Sequence, residues 1–321
     1  MFEIQEESSL DPIIKIIGIG GAGCTAINYI IEQGLKGVEY IFIDSDKQSL
    51  SQSQASVLLK TDIEFPDYLA STLDQQVNIN ARESLQERIK SQILNADLIF
   101  IIAGMGGTTE TKHSTTVAQI ANELNILTVA VITPPFTHDE DRTRCANDGI
   151  ISLYEYVDSL MIVPNTNTID GLINDQIELD LIIAANTYIH TAIKSLVEFI
   201  TEDGVVGIDF SDVCLLLSKS GLTKFSVATA SGSNRAKIAT EKATALLQPE
   251  NTELLSLKGL LVNMKHDGDN FTMREYKEVM NGVRSKFNND ETIVIIRTSS
   301  NNANAGELRV TIFATGCTNK T

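Results

Sequence analysis

Nearly unbroken apolar runs alternate with amphipathic stretches through the first half of the chain. Residues 13–17, 38–43, 98–102, 127–132 and 160–163 are such runs, as expected of parallel strands covered on both faces. Between them, helical spacing begins near Gly21, Ala81, Ser114 and Arg142. That alternation predicts a doubly wound, mostly parallel α/β sheet. Residues 177–200 are largely apolar and contain neither Gly nor Pro, which predicts a long central helix buried on most sides. On that helix Tyr188, Ile189 and Ile193 read as core rather than as a partner groove.

Beyond Gly204 the pattern changes. A helix is expected from Ser211, a strand over 224–229, a helix over 235–247, and strands around 259–264, 292–297 and 308–314. This is a second, α+β unit. The expected division is a nucleotide-binding-type α/β domain over 1–175, a central helix and joint over 176–203, and a C-terminal α+β domain over 204–321. The polar stretches 48–55 and 299–306 read as surface loops.

Composition narrows the function classes. With 321 residues, 43% of them hydrophobic, the chain has material for substantial cores. A net charge of −17 with dispersed Lys and Arg argues against nucleic acid and against anionic membrane. No apolar run approaches the roughly 18 residues that span a bilayer, and 1–11 is acidic rather than a basic signal segment, so the expected location is cytoplasmic. Cys24, Cys145, Cys214 and Cys317 lack paired spacing and the four histidines lack ligand spacing, so neither a disulfide framework nor a metal site is expected.

Two glycine loops carry the candidate chemistry. Gly18-Ile19-Gly20-Gly21-Ala22-Gly23 follows a strand and opens a helix, as a phosphate-binding turn does. Alone it also matches a dinucleotide fingerprint, with Asp44 ending the next strand as the ribose carboxylate; an NAD-binding enzyme is therefore one reading, and tight helix–strand packing another. Ala103-Gly104-Met105-Gly106-Gly107-Thr108-Thr109-Glu110 is a second strand–glycine–helix turn, which a dinucleotide fold does not need. Such turns aim backbone N–H groups and the positive helix end at an anion, yet Glu110 stands where that anion would bind. At about 4 Å and an effective dielectric near 20 one like charge opposes binding by about 4 kcal/mol, roughly a thousandfold.

With both loops in view, the chain resembles the FtsZ/tubulin family, on its bacterial FtsZ side, from about Ile13 to Gly316. The carriers are collinear: the two loops, Gly37-Val38-Glu39, Leu127-Thr128-Val129-Ala130-Val131, Val163-Pro164-Asn165, Asp209-Phe210-Ser211-Asp212-Val213 and Glu307-Leu308-Arg309-Val310-Thr311. The resemblance implies a nucleotide domain, a core helix and a second domain with an activation loop, assembling head to tail into protofilaments. GTP or GDP with magnesium is the implied ligand, hydrolysed with carboxylates from the next subunit.

Carried over by position, the nucleotide residues are Gly20, Gly21, Ala22, Gly23, Asp46, Gly104, Met105, Gly106, Gly107, Thr108, Thr109, Arg142, Asn165 and Asn186. The implied catalytic pair is Asp209 and Asp212, although the same spacing suits the capping of any helix start. Other positions depart from the family. Its Asn after the first loop is Thr25, its stacking Phe is Ile182, its base-reading Asp is Thr187, and the Asn before the catalytic pair is Gly207. Its signature GGGTGTG appears as Gly106-Gly107-Thr108-Thr109-Glu110-Thr111-Lys112, with Lys112 placed either to neutralise Glu110 or to face solvent. A third loop aligns with Ser71-Thr72-Leu73-Asp74. The expectation is an FtsZ-like filament protein with GTP binding and hydrolysis weakened or lost, binding GTP or GDP with magnesium or no ligand at all. The alternative is a working GTP-hydrolysing filament of cell division. The expected partners are further copies of the chain and a true FtsZ. The chain stops soon after its last strand, without the family's tail that recruits membrane tethers, so no direct membrane binding is expected.

Overall fold

The computed structural model describes residues 11–61, 85–135, 140–163, 175–202, 208–247, 254–268, 271–287, 292–300 and 306–319. Six strands, β1 (Ile14–Ile19), β2 (Val38–Asp44), β3 (Val57–Lys60), β4 (Leu98–Gly104), β5 (Leu127–Thr133) and β6 (Ser159–Ile162), run parallel in the order β6-β5-β4-β1-β2-β3. Their apolar runs are continuous because both faces are covered. Ile14 and Ile16 enter one core, Ile17 and Ile19 the other.

The helices divide accordingly. α1 (Gly20–Glu32) and the long α6 (Asp175–Thr201) pack on the first face. The helical segment 85–93 (α3), α4 (Thr108–Glu123) and α5 (Glu140–Tyr154) pack on the other. β1 lies between β2 and β4 while α1 and α4 depart to opposite faces, so the strand order reverses there. The crevice at the carboxyl ends of β1 and β4 is where open α/β sheets bind ligands.

β7 (Gly221–Ser231) joins the same sheet through two residue pairs, Ser159 with Gly221 and Leu160 with Leu222. It leads antiparallel into β11 (Glu307–Thr315), then β9 (Gly259–His266) and β10 (Ile293–Ser300), completing ten strands. α7 (Phe210–Leu217) precedes β7. α8 (Arg235–Leu247) and α9 (Met273–Lys286) cover a third core of Leu260, Val262, Val310 and Ile312. A short pair, β8 (Leu254–Ser256) with β12 (Thr318–Asn319), lies apart.

Several expectations change. The stretch 48–55 is not wholly loop: Asp46 caps α2 (Lys47–Gln52) by accepting the Gln48 and Ser49 amides. α4 starts at Thr108 rather than Ser114, because its threonine-rich first turns hide the apolar period and are supported by hydroxyls bonding back to carbonyls, Thr111 to Gly107 at 2.7 Å and Thr115 to Thr111 at 3.1 Å. Ser299 and Ser300 belong to β10. α6 is buried only towards its C-terminal half: Ile189, Ile193 and Phe199 are core, whereas Leu179 and Ile183 are about half exposed. Tyr188 packs against the core with its hydroxyl donating to the Phe225 carbonyl. α9 is an addition to the expected elements, with Thr272 and Glu275 forming a capping box ahead of Tyr276, Val279, Met280 and Val283. Residues 71–74, Ala81, Asn165 and Gly207 lie outside the described residues.

Candidate nucleotide site

The two glycine turns meet at the switch in strand order, and their glycines have distinct tasks. A side chain on Gly18 would strike the Gly23 carbonyl, one on Gly23 would lie 2.9 Å from the Ile102 carbonyl oxygen, and one on Gly104 would lie 2.8 Å from Ala22 Cβ. These three let α1 pack directly on β1 and β4. Gly20 (φ 69°) and Gly106 (φ 124°) instead hold backbone conformations that L side chains rarely adopt. Gly21 faces open space.

The space between the turns is filled by Glu110. A Cβ built on Gly20 would collide with Glu110 Cγ and lie 3.2 Å from its Cδ and Oε1; one on Gly107 would collide with Oε2 and lie 2.7 Å from Cδ. The carboxylate therefore lies over both glycine Cα atoms. Gly107 caps α4 without a side-chain bond, so the acid sits in the positive field of the helix start. Among the described residues Glu110 makes no ion pair. Lys112 is exposed and lines, with Thr115, Asp141 and Arg144, the groove between α4 and α5.

The remaining predicted residues fall around this centre. Met105 is buried, its N–H donating to the Thr133 carbonyl at 2.9 Å. Thr108 and Thr109 form the first turn of α4. Arg142, exposed on α5, has its Cβ 3.5 Å from where a Gly106 side chain would begin. Asp46 is committed to capping α2, accepting from Gln48 N, Ser49 N and Ser49 Oγ; these bonds hold its carboxyl below the usual range. Asp44, the ribose carboxylate of the dinucleotide reading, is buried and accepts the Asp46 N–H at 3.1 Å.

Beside the turns opens a cleft of about 290 Å³, lined by Gly21, Ala22, Ile102, Val163, Ile182 and Ile189, with Thr25, Thr133 and Asn186 as polar members. Thr25 Oγ1 donates to the Ala22 carbonyl at 3.0 Å. Thr187 is turned away, bonding the Ile183 carbonyl at 2.8 Å and lying 3.1 Å from the Tyr29 hydroxyl. Tyr29, on α1, is absent from the residues that the sequence points to, and no motif marks it.

Asp209 caps the start of α7 and Asp212 lies in its first turn, rather than on the switch-point turns. Asp209 Oδ1 accepts Ser211 Oγ at 2.6 Å and Asp212 N at 3.0 Å, and Asp212 Oδ2 accepts the Asp209 N–H at 3.2 Å. The Ser211 hydroxyl and Asp212 amide hold the Asp209 carboxyl below its usual range. This is a complete capping box. Among the described residues no group of three or more His, Cys, Asp or Glu side chains is arranged to hold a metal ion, and no helix is long and apolar enough to cross a membrane.

Comparison with known proteins agrees with this architecture. Residues 13–172 match the model of the Tubulin/FtsZ family GTPase domain and residues 221–318 that of the FtsZ family C-terminal domain. Cell division protein FtsZ of Coxiella burnetii is 35% identical over 317 residues, 98% of this chain and 82% of the relative. That of Buchnera aphidicola from Acyrthosiphon pisum is 36% identical over the same shares. Among solved structures, an FtsZ point mutant from M. jannaschii superposes with a TM-score of 0.80 at 27% identity, covering 96% of this chain and 92% of its own. An empty FtsZ dimer of the same organism gives 0.77 at 28%, covering 96% and 89%. CetZ2 from Haloferax volcanii, at 16% identity and a TM-score of 0.73 over 95% and 93%, shares the fold. The collinear motifs, the ten-stranded sheet with its long α6, and relatives matched over nearly the whole chain together make this protein a member of the tubulin/FtsZ family.

Proposed function

We propose that this protein is a cytoplasmic, FtsZ-like element of the cell-division cytoskeleton that assembles head to tail into protofilaments, with GTP binding and hydrolysis weakened or lost. The observation that carries the second half is the Glu110 carboxylate lying over Gly20 and Gly107. With that side chain in place the cradle does not fit a phosphate, for lack of space and by like charge, and no hydrolytic step follows from it. The first half is supported by family membership and by a relative described as an empty FtsZ dimer. Its further partner is a true FtsZ, and it binds no membrane directly.

The competing reading, a working GTPase, is favoured by Asp209 Oδ2 and Asp212 Oδ1, which stay outside the capping box. Sedimentation and negative-stain microscopy of nucleotide-stripped protein, without nucleotide, with GDP and with GTP plus magnesium, separate the two when released phosphate is assayed in parallel. Filaments in every condition without phosphate release are expected. Filaments formed only with GTP and accompanied by phosphate would overturn the proposal.

A further inference from the structure

The ten-stranded sheet ends on two edges that are finished differently. β3, the edge beside β2, is four residues long and closes on Lys60, whose carbonyl accepts Arg88 Nη1 at 3.1 Å. β10, the edge beside β9, runs eight residues in unbroken register and begins Ile293-Val294-Ile295-Ile296. Natural edges are blunted by short length, exposed charge, proline or a bulge, and β10 has none of these. Its one charged residue, Arg297, is 1% exposed and turned inward, donating from Nη1 to the Glu198 and Phe199 carbonyls at the end of α6.

The backbone fixes which groups face out. Ile293 N–H donates to the Lys258 carbonyl, so parallel pairing commits alternate residues, Ile293, Ile295, Arg297 and Ser299, to β9. The N–H and C=O groups of Val294, Ile296 and Thr298 point away from the sheet, and among the described residues nothing bonds them. Val294 and Ile296 are half-buried against the third core and Ile295 against the first, while Ile293 is 43% exposed. A second copy is the partner that this edge fits. Copies of net charge −17 repel one another, and an edge without exposed charge is where side chains oppose their approach least. An antiparallel strand pair about a twofold is also self-complementary. Outward groups must meet outward groups, so the axis passes through a residue, Ile295 or Ile296, and never between two. Through Ile295, Val294 exchanges bonds with the partner's Ile296 and the central pairs are all apolar. Through Ile296, Ile295 would face the partner's Arg297, an apolar group against a charged one.

We propose that β10 pairs antiparallel with β10 of a second copy about a twofold at Ile295, joining two ten-stranded sheets edge to edge. β10 runs in the same sense as β1 to β6, through β9, β11 and β7, so the twofold turns the partner's sheet end for end. Where copies also assemble head to tail, the two joined filaments run in opposite directions. Only that last consequence rests on the head-to-tail reading. The pairing itself needs neither nucleotide nor filament.

The test is amide hydrogen exchange over 292–300 in nucleotide-stripped, full-length protein, dilute and concentrated. Exchange in wild type should slow by at least about tenfold on concentration, as the outward amides gain partners. Ile293→Lys puts a charge on the exposed end of the edge, opposite the partner's Arg297, and should abolish that slowing while its thermal unfolding matches wild type. With the axis at Ile295, the two Ile295 Cα atoms stand about 4.5 Å apart in a non-hydrogen-bonded pair, within reach of a disulfide. Ile295→Cys should therefore give a linked dimer under mild oxidation, above the background of the native cysteines in wild type, and Ile296→Cys should not. Negative-stain microscopy should show paired filaments for wild type and single ones for Ile293→Lys. Slowing that is absent from wild type, retained in Ile293→Lys, or brought about only by a protein from a cell lysate overturns the inference, and so does linkage at Ile296 in place of Ile295. Slowing and linkage without filaments would leave the pairing standing and remove the head-to-tail reading. Filaments without slowing would do the reverse.

Discussion

The starts of α4 and α7 carry the same kind of residue at the same helical position and use it in opposite ways. At α7 the third residue, Asp212, closes a reciprocal box with Asp209, so both carboxylates satisfy backbone donors of their own helix. At α4 the third residue is Glu110, but the cap is Gly107, which has no side chain to complete a box. The carboxylate instead lies across two glycine turns that in this architecture present their donors to an outside anion. An acid near a helix N-terminus is favoured by the dipole in either case. What separates a structural cap from an internal replacement for a ligand is the identity of the capping residue and what lies across the gap.

The largest effect should come from removing the acid at α4. Glu110→Gly should raise GTP affinity by up to about a thousandfold, the ~4 kcal/mol of one like charge at close range. Glu110→Gln, which keeps the volume and removes the charge, should give part of that gain. Equilibrium dialysis reads both, and equal affinities for wild type and Glu110→Gly would break the contrast.

A third acidic start, at α9, supplies a purely structural reference. There Glu275 bonds Thr272 and also the buried Arg235, at 2.6 Å from Nε, while Arg235 Nη1 reaches Asp267 at 3.5 Å. Arg235→Ala should destabilise the fold by about 3–5 kcal/mol, because it strands buried carboxylates. Thr272→Ala should cost about 1 kcal/mol as a lost cap. Urea denaturation measures both, and neither variant should alter the response to GTP.

The smallest effect concerns acid pH at α7. Asp209 has a folded pKa depressed by the Ser211 hydroxyl and the Asp212 amide. Its contribution is therefore complete above the unfolded value near 4 and lost as pH falls through the lower folded value. Asp209→Asn keeps an acceptor oxygen and should flatten that acidic limb of thermal stability, while Asp209→Ala should lower stability at neutral pH too.

Strands β1, β4 and β5 are legible in the sequence because burial on both faces leaves continuous apolar runs, and α8 because Gly232 and the residues after Leu247 bound a clean helical period. The early start of α4 is not, since Thr108 to Thr116 show neither apolar period nor strong helix propensity and the stabilising hydroxyl bonds appear only once the helix exists. For α9 the Thr272 and Glu275 box is the one readable signal, its apolar residues being few among charges. At the site, the glycine turns and the sign of the Glu110 charge can be read directly. The direction of its side chain over Gly20 and the turning of Thr187 towards Tyr29 cannot, because each depends on a neighbour more than fifty residues away in the chain.

Whether the Glu110 carboxylate, lying over Gly20 and Gly107, keeps phosphate out of the cradle is read by titrating nucleotide-stripped wild-type protein with radiolabelled GTP and magnesium. No saturable binding in the micromolar range is expected. Stoichiometric micromolar binding with Glu110 intact would contradict it, for the side chain would then have to leave the cradle at little cost.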